Sequence, residues 1–266
     1  MILQNKNAVI YGAGGSLGGA VSKALAASGA YLYLTGPHHE SLQKLADEIL
    51  SSGGCAEITV VDALDEKSVS NHLRNMVQQK KKMDISFNAM GVPVVQNIPL
   101  TDISVDDFIS PVTLMTRSQF ITATAAGRIM MTQGSGTILS LTATPGGIGY
   151  PYTGGFSAAC AAIETFSKNL AAELGLYGVR VVNMRSGGSP DSKVFKQAID
   201  SNPELMKEVI RKMEGDTMLK KLPLMSDVAN LAVFLCSDMA EKITGVTVDV
   251  TCGTTAGLNY RAIRKE

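Results

Sequence analysis

A chain of 266 residues with 45% hydrophobic side chains is long enough to bury one sizeable core, and nothing in its length requires two domains. Lysine plus arginine and aspartate plus glutamate both number 24, so no basic field favours nucleic acid as a partner. No apolar run reaches the roughly 18 residues of a membrane span, and the N-terminus lacks the basic and apolar regions of a secretory signal. We therefore expect a cytoplasmic protein that contacts neither nucleic acid nor membrane.

The four cysteines are far apart in the sequence and form no CxxC pair. They are Cys55, Cys160, Cys236 and Cys252. This spacing predicts neither a zinc site nor a redox motif, and reduced thiols are the simplest interpretation. We expect no bound metal.

The first element in chain order is a short apolar run, Ala8–Tyr11, that stops at a cluster of glycines and is followed at once by a helical pattern. The pattern predicts a strand, a tight turn and a helix. Gly12, Gly14 and Gly18 allow the backbone to turn sharply and to approach a ligand closely. The free N–H groups and the dipole of the helix start favour a pyrophosphate there. A dinucleotide site is expected, and a glycine turn kept only for close packing is the alternative.

Strands and helices then alternate along the chain. Further strands are predicted at Ala30–Leu34, Glu57–Val61, Ile85–Asn88, Thr137–Leu141, Val179–Met184 and Val246–Val250. Further helices are predicted near Glu40–Ser51, Asp65–Gln79, Val105–Thr132 and Phe156–Leu174. Strands that alternate with helices of this length indicate an α/β fold with a parallel sheet covered on both faces, joined by right-handed crossovers.

Three local features have their own interpretations. Pro111 either kinks the long helix or marks its first turn. The run Lys80–Lys82 is expected to be a solvated helix end. His72, on a polar helix, is expected to be a surface residue.

Several motifs in a fixed order resemble the short-chain dehydrogenase/reductase superfamily over nearly the whole chain. They are the Gly12–Gly19 turn, Asp62, the segment Asp84–Gly91 where the family has D-I-L-V-N-N-A-G, and the segments Gly136–Leu141, Phe156–Leu174, Gly178–Val181 and Ile243–Gly245. The resemblance implies a three-layer, Rossmann-type doubly wound parallel sheet of about seven strands, in one domain over residues 1–266. It also implies an oxidoreductase that uses NAD(P). Function itself must be argued at the site.

The cofactor region matches the family's T-G-x-x-x-G-x-G turn imperfectly, because Tyr11 replaces the threonine and Ser16 replaces the middle glycine. The Ser16 side chain either crowds the pyrophosphate or hydrogen-bonds to it. By resemblance, Asp62 accepts a hydrogen bond from the adenine amine, or else it is a turn or helix-cap carboxylate, while Asn88 and Gly91 line the adenosine ribose. The predicted cofactor-binding residues are Gly12, Gly14, Ser16, Leu17, Gly18, His38, Asp62, Ala63, Asn88, Ala89 and Gly91.

The end of the second strand bears on the choice between NAD and NADP. An acid there binds the ribose 2′-hydroxyl of NAD, and a base accommodates the 2′-phosphate of NADP. Thr35, Gly36 and Pro37 offer neither, whereas His38 or His39 can substitute in part for the base. We therefore expect NADP in preference to NAD, and a chain without cofactor is the remaining alternative.

The reactive centre departs from the family at four positions. By resemblance, a tyrosine acts as acid and base, a lysine four residues later lowers the tyrosine pKa by its charge, a serine polarises the substrate oxygen, and an asparagine orders a water. Alignment places Phe156 at the tyrosine, Cys160 at the lysine, Ala143 at the serine and Met115 at the asparagine. One such acid/base group typically contributes about 10²–10⁴ in rate, so little carbonyl reduction by the family's route is expected.

Four other residues are candidate substitutes: Thr142, Thr144, Tyr152 and Arg185. The threonines flank the vacated serine position, Tyr152 precedes Phe156 by one helical turn, and Arg185 follows the sixth strand, where it can bind an anionic oxygen. Each also has a structural interpretation, namely threonines that cap turns, a packing aromatic, or an Arg185–Asp191 ion pair.

Three functions remain open from the sequence. The chain is an oxidoreductase with a non-standard site for a carbonyl or enoyl substrate, a non-catalytic dinucleotide-binding sensor, or a scaffold that has lost the cofactor too. By resemblance it forms a homotetramer or dimer through the long helix, the Phe156–Leu174 helix and the last strand. A helical segment over 190–222 is expected to cover a small-molecule substrate.

Overall fold

The computed structural model of the protein describes residues 1–79 and 82–256. Its strands are β1 (Asn7–Tyr11), β2 (Tyr31–Gly36), β3 (Cys55–Val60), β4 (Ile85–Asn88), β5 (Gly136–Ala143), β6 (Val179–Ser186) and β7 (Thr247–Val250). Within the described residues these seven strands form one sheet in the order β3-β2-β1-β4-β5-β6-β7, and every neighbouring pair is parallel. The predicted parallel α/β sheet of about seven strands is confirmed.

The helices cover both faces of the sheet. They are α1 (Ser16–Ala27), α2 (His39–Ser51), α3 (Glu66–Gln78), α4 (Val105–Gln133), α5 (Phe156–Leu174), α6 (Lys193–Ser201), α7 (Pro203–Asp216) and α8 (Met225–Cys236). Helices α2 to α5 begin and end within a residue or two of their predicted bounds. Helices α6 and α7 fall inside the segment 190–222, whereas α8 was not predicted.

Two apolar clusters separated by the sheet make the three layers. Because side chains alternate across a strand, Ile10 and Leu34 point toward α1, α2 and α8, while Val9 and Tyr33 point toward α3 and α4. The chain runs outward from β1 to β3 and then returns to β4 beside β1. This reversal leaves a crevice at the carboxyl ends of β1 and β4, which is where ligands bind in such sheets.

The long helix α4 is fixed at both ends. The Ser104 hydroxyl accepts the Asp107 amide at its start, and Gly134 closes it in a left-handed conformation with φ of +71°. Pro111 is buried inside the second turn. The interpretation of Pro111 as a first-turn residue is therefore wrong.

His72 is buried, with 9% of its surface exposed, so the expectation of a surface residue is wrong. It shares the inner face of α3 with Val69, Leu73 and Met76, because residues three and four apart lie on one face of a helix. Its ring lies edge-on to Tyr33, with centroids 6.4 Å apart. Nε2 has no hydrogen-bond partner among the described residues, and burial lowers the His72 pKa, opposed by the charge of Glu57.

A His72→Phe variant is expected to lose less stability in acid than the natural chain. Because the folded-state pKa of His72 lies below its ordinary value of about 6.5, the unfolded chain takes up the proton first. Above about pH 6.5 His72 is neutral in both states and does not lower the free energy of unfolding of the protein. As the pH falls from there toward the folded-state pKa, the free energy of unfolding decreases. Melting temperatures of both proteins between pH 8 and pH 5 test this, and parallel curves would contradict it.

Two further sequence expectations concern the surface. Lys80 and Lys81 lie outside the described residues; Lys82 is exposed, and its amine lies 3.3 Å from the Asp84 carboxylate. None of the helices in the described ranges is both long and apolar enough to cross a membrane. In the same part of the chain, no three histidine, cysteine, aspartate or glutamate side chains cluster in a way that would hold a metal ion.

Candidate functional site

The turn between β1 and α1 is built by glycines that allow close backbone approach. Gly12 has a φ of +71°, and a Cβ there would lie 2.9 Å from main-chain atoms of Ala89. A Cβ on Gly18 would lie 2.3 Å from the Gly12 carbonyl oxygen. Both distances are shorter than real Cβ atoms make, so these two glycines are required for packing whether or not a ligand binds.

The start of α1 is open to an anion. Its N-cap residue is Gly15, no side chain caps the helix, and its first turn contains no acidic residue. The first amides of a helix have no partner within the helix, and the dipole favours negative charge there. A pyrophosphate therefore fits this end of α1.

Helix α2 closes one side of the turn through a residue that the sequence analysis missed. A Cβ on Gly14 would lie 2.4 Å from Ser41 Oγ, and this hydroxyl donates to the His38 carbonyl. His38 and His39 are exposed. This contact could have been predicted from the position of Ser41 in the first turn of α2, because that turn lies at the same edge of the sheet as the glycines.

Ser16 makes a contact that neither sequence interpretation included. Its Oγ accepts a hydrogen bond from the backbone N–H of Lys193, the first residue of α6, at 3.0 Å. The loop before α6 carries Ser189, which is buried and whose Oγ has no partner among the described residues. A buried hydroxyl without a partner and an uncapped helix start both suit a ligand rich in acceptor oxygens.

The predicted adenosine-binding residues differ in solvent exposure. Asp62 is exposed, and its Oδ1 accepts the Leu64 amide at 2.9 Å, as a turn carboxylate does. This bond leaves acceptor capacity on the carboxylate. Ala63 beside it is buried, whereas Gly91 is exposed and a Cβ there would meet no atom within 4 Å.

The Asn88 side chain is directed into the protein. Its amide nitrogen donates to Ser118 Oγ at 2.8 Å and to Thr122 Oγ1 at 3.0 Å, both on α4, and its Oδ1 accepts the Met90 amide at 2.9 Å. The Asn88 side chain therefore fixes the loop after β4 to α4, and its predicted place beside a ribose stays a prediction.

The four residues aligned with the family's tetrad, Met115, Ala143, Phe156 and Cys160, lie on α4, at the end of β5 and on α5. A Cβ on Gly155 would lie 1.8 Å from the Phe108 carbonyl oxygen, so the start of α5 rests directly on the backbone of α4. Met115 on α4 and Phe156 on α5 are half-buried. Because Gly155 has no side chain, the two helices approach closely enough to place Phe156 beside α4.

Cys160, at the lysine position, is fully buried and bonds to the backbone of Ala143, the serine position. Burial raises the pKa of its thiol to about 11. The thiol therefore stays neutral at pH 7 and brings no positive charge to the cleft.

The two threonine substitutes are engaged inside the protein. Thr142 is buried; its hydroxyl donates to Glu164 Oε1 at 2.9 Å and accepts from Asn183 Nδ2 at 2.8 Å. Thr144 is buried and its hydroxyl donates to the Ser186 carbonyl at 3.4 Å. Both hydroxyls already have protein partners, which favours a structural role over replacement of the serine, and Thr142 caps no turn.

Arg185 is a structural residue, and its expected partner was wrong. Its guanidinium pairs with Glu164 at 2.5 Å and with Asp249 at 2.8 Å, and the hydrogen bonds that it donates to Glu164 raise its pKa. The Asp191 carboxylate instead accepts the Met225 amide at 3.1 Å and 3.2 Å.

Strand register and the loop after β5 explain this arrangement. Arg185 lies opposite Thr142 on β5 and Asp249 on β7, on the sheet face that α5 covers. A Cβ on Gly147 would lie 2.5 Å from the guanidinium carbon, and one on Gly146 would lie 2.5 Å from a Glu164 oxygen. The loop therefore covers the ion pair, and the guanidinium is not available to a substrate anion.

Tyr152 does not stand one helical turn before Phe156. It has a φ of +61°, α5 begins only at Phe156, and the Tyr152 carbonyl accepts the Asn97 amide at 2.8 Å. Its side chain is 54% exposed, so it is not a packing aromatic. Burial and the charge of Asp216 raise the pKa of nearby Tyr150. No lysine of the described ranges hydrogen-bonds to either tyrosine hydroxyl.

Helices α6 and α7, here called the cover, pack loosely on the body. None of their residues is fully buried. A Cβ on Gly188 would lie 2.8 Å from the Phe195 ring and 2.7 Å from Met213 Cε, so these two side chains rest on the loop after β6.

A family model described as enoyl-(acyl carrier protein) reductase matches residues 12–255. The chain belongs to the short-chain dehydrogenase/reductase superfamily. Among relatives in this superfamily, the levodione reductase of Leifsonia aquatica is 29% identical over 93% of each chain. The 3alpha-hydroxysteroid dehydrogenase of Mediterraneibacter gnavus is 27% identical, over 94% of this chain and 97% of its own.

Solved structures of the superfamily share the fold. A levodione reductase crystal structure has a TM-score of 0.88 at 25% identity and covers 96% of this chain and 99% of its own. NAD+-bound xylitol dehydrogenase has a TM-score of 0.88 at 24% identity, over 95% and 100% of the two chains, and shows the fold alone. The predicted Rossmann-type fold and superfamily membership are confirmed.

Proposed function

We propose that this short-chain dehydrogenase/reductase binds NAD(P)(H) and has a degenerate active site, so that any hydride transfer to a carbonyl or enoyl substrate uses non-standard residues. The observation that carries the proposal is Cys160, a fully buried neutral thiol at the lysine position, in contact with Ala143 at the serine position. Together with Phe156, these residues leave the customary positions without a proton donor or a positive charge.

Residues of two edges of the crevice would hold the cofactor. The uncapped amides of α1 and Ser16 suit the pyrophosphate, and Asp62 with the main chain of residues 88–91 suits the adenosine. His38 and His39 are exposed beyond β2, and Thr35, Gly36 and Pro37 at its end offer no acid to a ribose 2′-hydroxyl. This favours NADP over NAD. When bound, the cofactor supplies or accepts a hydride.

Of the candidate substitutes, Tyr152 keeps an exposed hydroxyl, and Tyr150 in the same loop offers a second one. Thr142, Thr144 and Arg185 are engaged by other protein groups. An unperturbed tyrosine, with a pKa of about 10, is a poor base at pH 7. The two tyrosines have no lysine partner within the described residues, so they supply less help than the family's pair.

The melting temperature is expected to rise with NADP(H) and to rise less with NAD(H). A ligand at about 100 times its dissociation constant stabilises by about 2.7 kcal/mol, which is about 5–10 °C for a chain of this size. Differential scanning fluorimetry measures the shift. Sulfate at the same ionic strength is the control, because any open helix start attracts anions. No shift with either dinucleotide would contradict the proposal and favour a scaffold without cofactor.

Turnover separates an oxidoreductase from a non-catalytic sensor. NADPH oxidation is followed across levodione, 3-oxosteroids and enoyl thioesters, substrates that the names of the relatives and of the family model indicate. Loss of activity in Tyr152→Phe, with Tyr177→Phe as the exposed control, would assign the proton to Tyr152. The alternative, a dinucleotide-binding pseudoenzyme, is favoured by the buried Cys160 and requires binding without turnover.

We also propose a homo-oligomer, tetramer or dimer, through the outer face of α4 and α5. Phe120 on this face is 55% exposed and its ring lies 5.8 Å from that of Phe166. They line a surface hollow of about 500 Å³ with residues of both helices: Val112, Thr113, Thr116, Arg117, Gln119 and Ile163. An exposed apolar patch of this kind favours a protein partner.

Phe120→Glu is expected to lower the molar mass in solution to that of a smaller assembly, because a buried unpaired charge opposes association. Light scattering after size exclusion gives the mass. Met239→Glu, a change at a more exposed residue outside this face, is the control and should leave the assembly intact. An unchanged mass for Phe120→Glu would contradict this interface.

A further inference from the structure

Ser16 stands between two parts of the molecule that are 177 residues apart in sequence. It is the first residue of α1, next to the open helix start, and its Oγ accepts the N–H of Lys193, the first residue of α6. Among the hydrogen bonds of the described residues, Ser16 Oγ acts only as an acceptor. A hydroxyl has one donor and two acceptor sites, so its proton remains available to an acceptor at the start of α1.

The cover has few other ties to the body. At one end the Asp191 carboxylate accepts the Met225 amide. At the other end the Leu219 amide donates to the Cys252 carbonyl at 3.2 Å. Between these ends, α6 and α7 contain no fully buried residue. A segment with few buried contacts opens with little cost in free energy, so one hydrogen bond at its start affects its docking.

The partial charges at the Ser16–Lys193 contact are positive on both sides. Lys193 N–H is one of the amides that have no partner inside α6, and the Ser192 hydroxyl caps a different one, that of Phe195. The starts of α1 and α6 therefore both point partial positive charge toward Ser16. An anion that accepts the Ser16 proton polarises the hydroxyl and strengthens the bond it accepts from Lys193.

We infer that Ser16 is a positioning residue that couples an anion at the start of α1 to docking of α6, so that a bound dinucleotide pyrophosphate holds the cover in place. The inference rests on the proposed function for the identity of the anion. The contact itself is present without it. By the same coupling, a docked α6 orients the Ser16 hydroxyl and tightens dinucleotide binding.

Amide hydrogen exchange of the full-length protein, read at Lys193 and over residues 190–216, tests the coupling with and without NADP⁺ or NAD⁺. Ser16→Ala and Ser16→Gly both remove the hydroxyl. Ser201→Ala is the matched control, because Ser201 lies at the other end of α6 and its hydroxyl bonds only within that helix. A hydrogen bond of ordinary strength predicts about fivefold faster exchange at Lys193 in both Ser16 variants without nucleotide.

With nucleotide, protection of the cover is expected to increase in the natural chain and in Ser201→Ala, and to increase much less in the Ser16 variants. Their dissociation constants, from calorimetry, should be about fivefold weaker. Equal exchange at Lys193 in all four proteins would overturn the inference. So would nucleotide binding that leaves the cover unchanged, although the proposed function would then stand. If no nucleotide binds the natural chain, the proposed function and the pyrophosphate coupling fail, and the Lys193 exchange still decides the Ser16 contact.

Discussion

A variant with Met115→Asn, Ala143→Ser, Phe156→Tyr and Cys160→Lys is expected to reduce carbonyl substrates at least about 100-fold faster than the natural chain, since one positioned acid/base group contributes about 10²–10⁴ in rate. The physical reason is the charge at position 160. A lysine there lowers the pKa of a tyrosine four residues earlier on the same helix face, which a neutral, buried thiol does not do.

Steady-state NADPH oxidation on the carbonyl panel measures this gain. The matched control is Phe156→Tyr alone, which restores the hydroxyl without its activating charge and should gain little. Glu164, one turn beyond position 160, is already paired with Arg185, so it does not neutralise the new lysine outright. If the fourfold variant folds and binds nucleotide but gains nothing, the missing tetrad is not what limits this chain.

Arg185→Met is expected to lower the melting temperature by about 6–20 °C. The Arg185 and Glu164 side chains are both largely shielded from solvent, and removal of one partner leaves a buried carboxylate uncompensated, which costs about 3–5 kcal/mol. For a chain of this size, 1 kcal/mol corresponds to about 2–4 °C. The Gly146–Gly147 segment rests on this pair, so the loop before α5 should loosen as well.

Two control variants test this prediction, and calorimetry measures the stability of both. Lys23→Met breaks the exposed pair with Glu48 and should cost no more than about 1 kcal/mol. The double change Glu164→Leu with Arg185→Met removes both buried charges and should recover much of the lost stability. A double variant as unstable as Arg185→Met would show that packing, and not the unpaired carboxylate, causes the loss.

The fold was predictable because its signals are local. Short apolar runs, glycine turns and helical spacing can each be recognised within a short stretch of the chain, and the superfamily motifs occur in order. The burial of His72 was also present in the sequence, as a three- and four-residue spacing with Val69 and Met76. The polar composition of that helix pointed to the surface and hid its apolar inner face.

The site was harder to predict because its contacts depend on strand register and on backbone conformation. Arg185 reaches Glu164 and Asp249 only because β5, β6 and β7 align as they do, and periodicity does not determine this alignment. Tyr152 does not lie one helical turn before Phe156 because its backbone is left-handed and it stands outside α5. Phe156 and Cys160, by contrast, were aligned by spacing within one helix, α5, whereas Ala143 on β5 and Met115 on α4 came from separate motifs; all four assignments stay predictions.

The missing side chain of Gly155 has a consequence for the proposed change of chemistry in this cleft. Since the beginning of α5 is seated on the carbonyl of Phe108, the frame of the cleft at this point depends on backbone contact and not on the side chains at positions 115, 143, 156 and 160. Chemistry can therefore be lost, or regained, by exchange of side chains alone while the architecture stays constant.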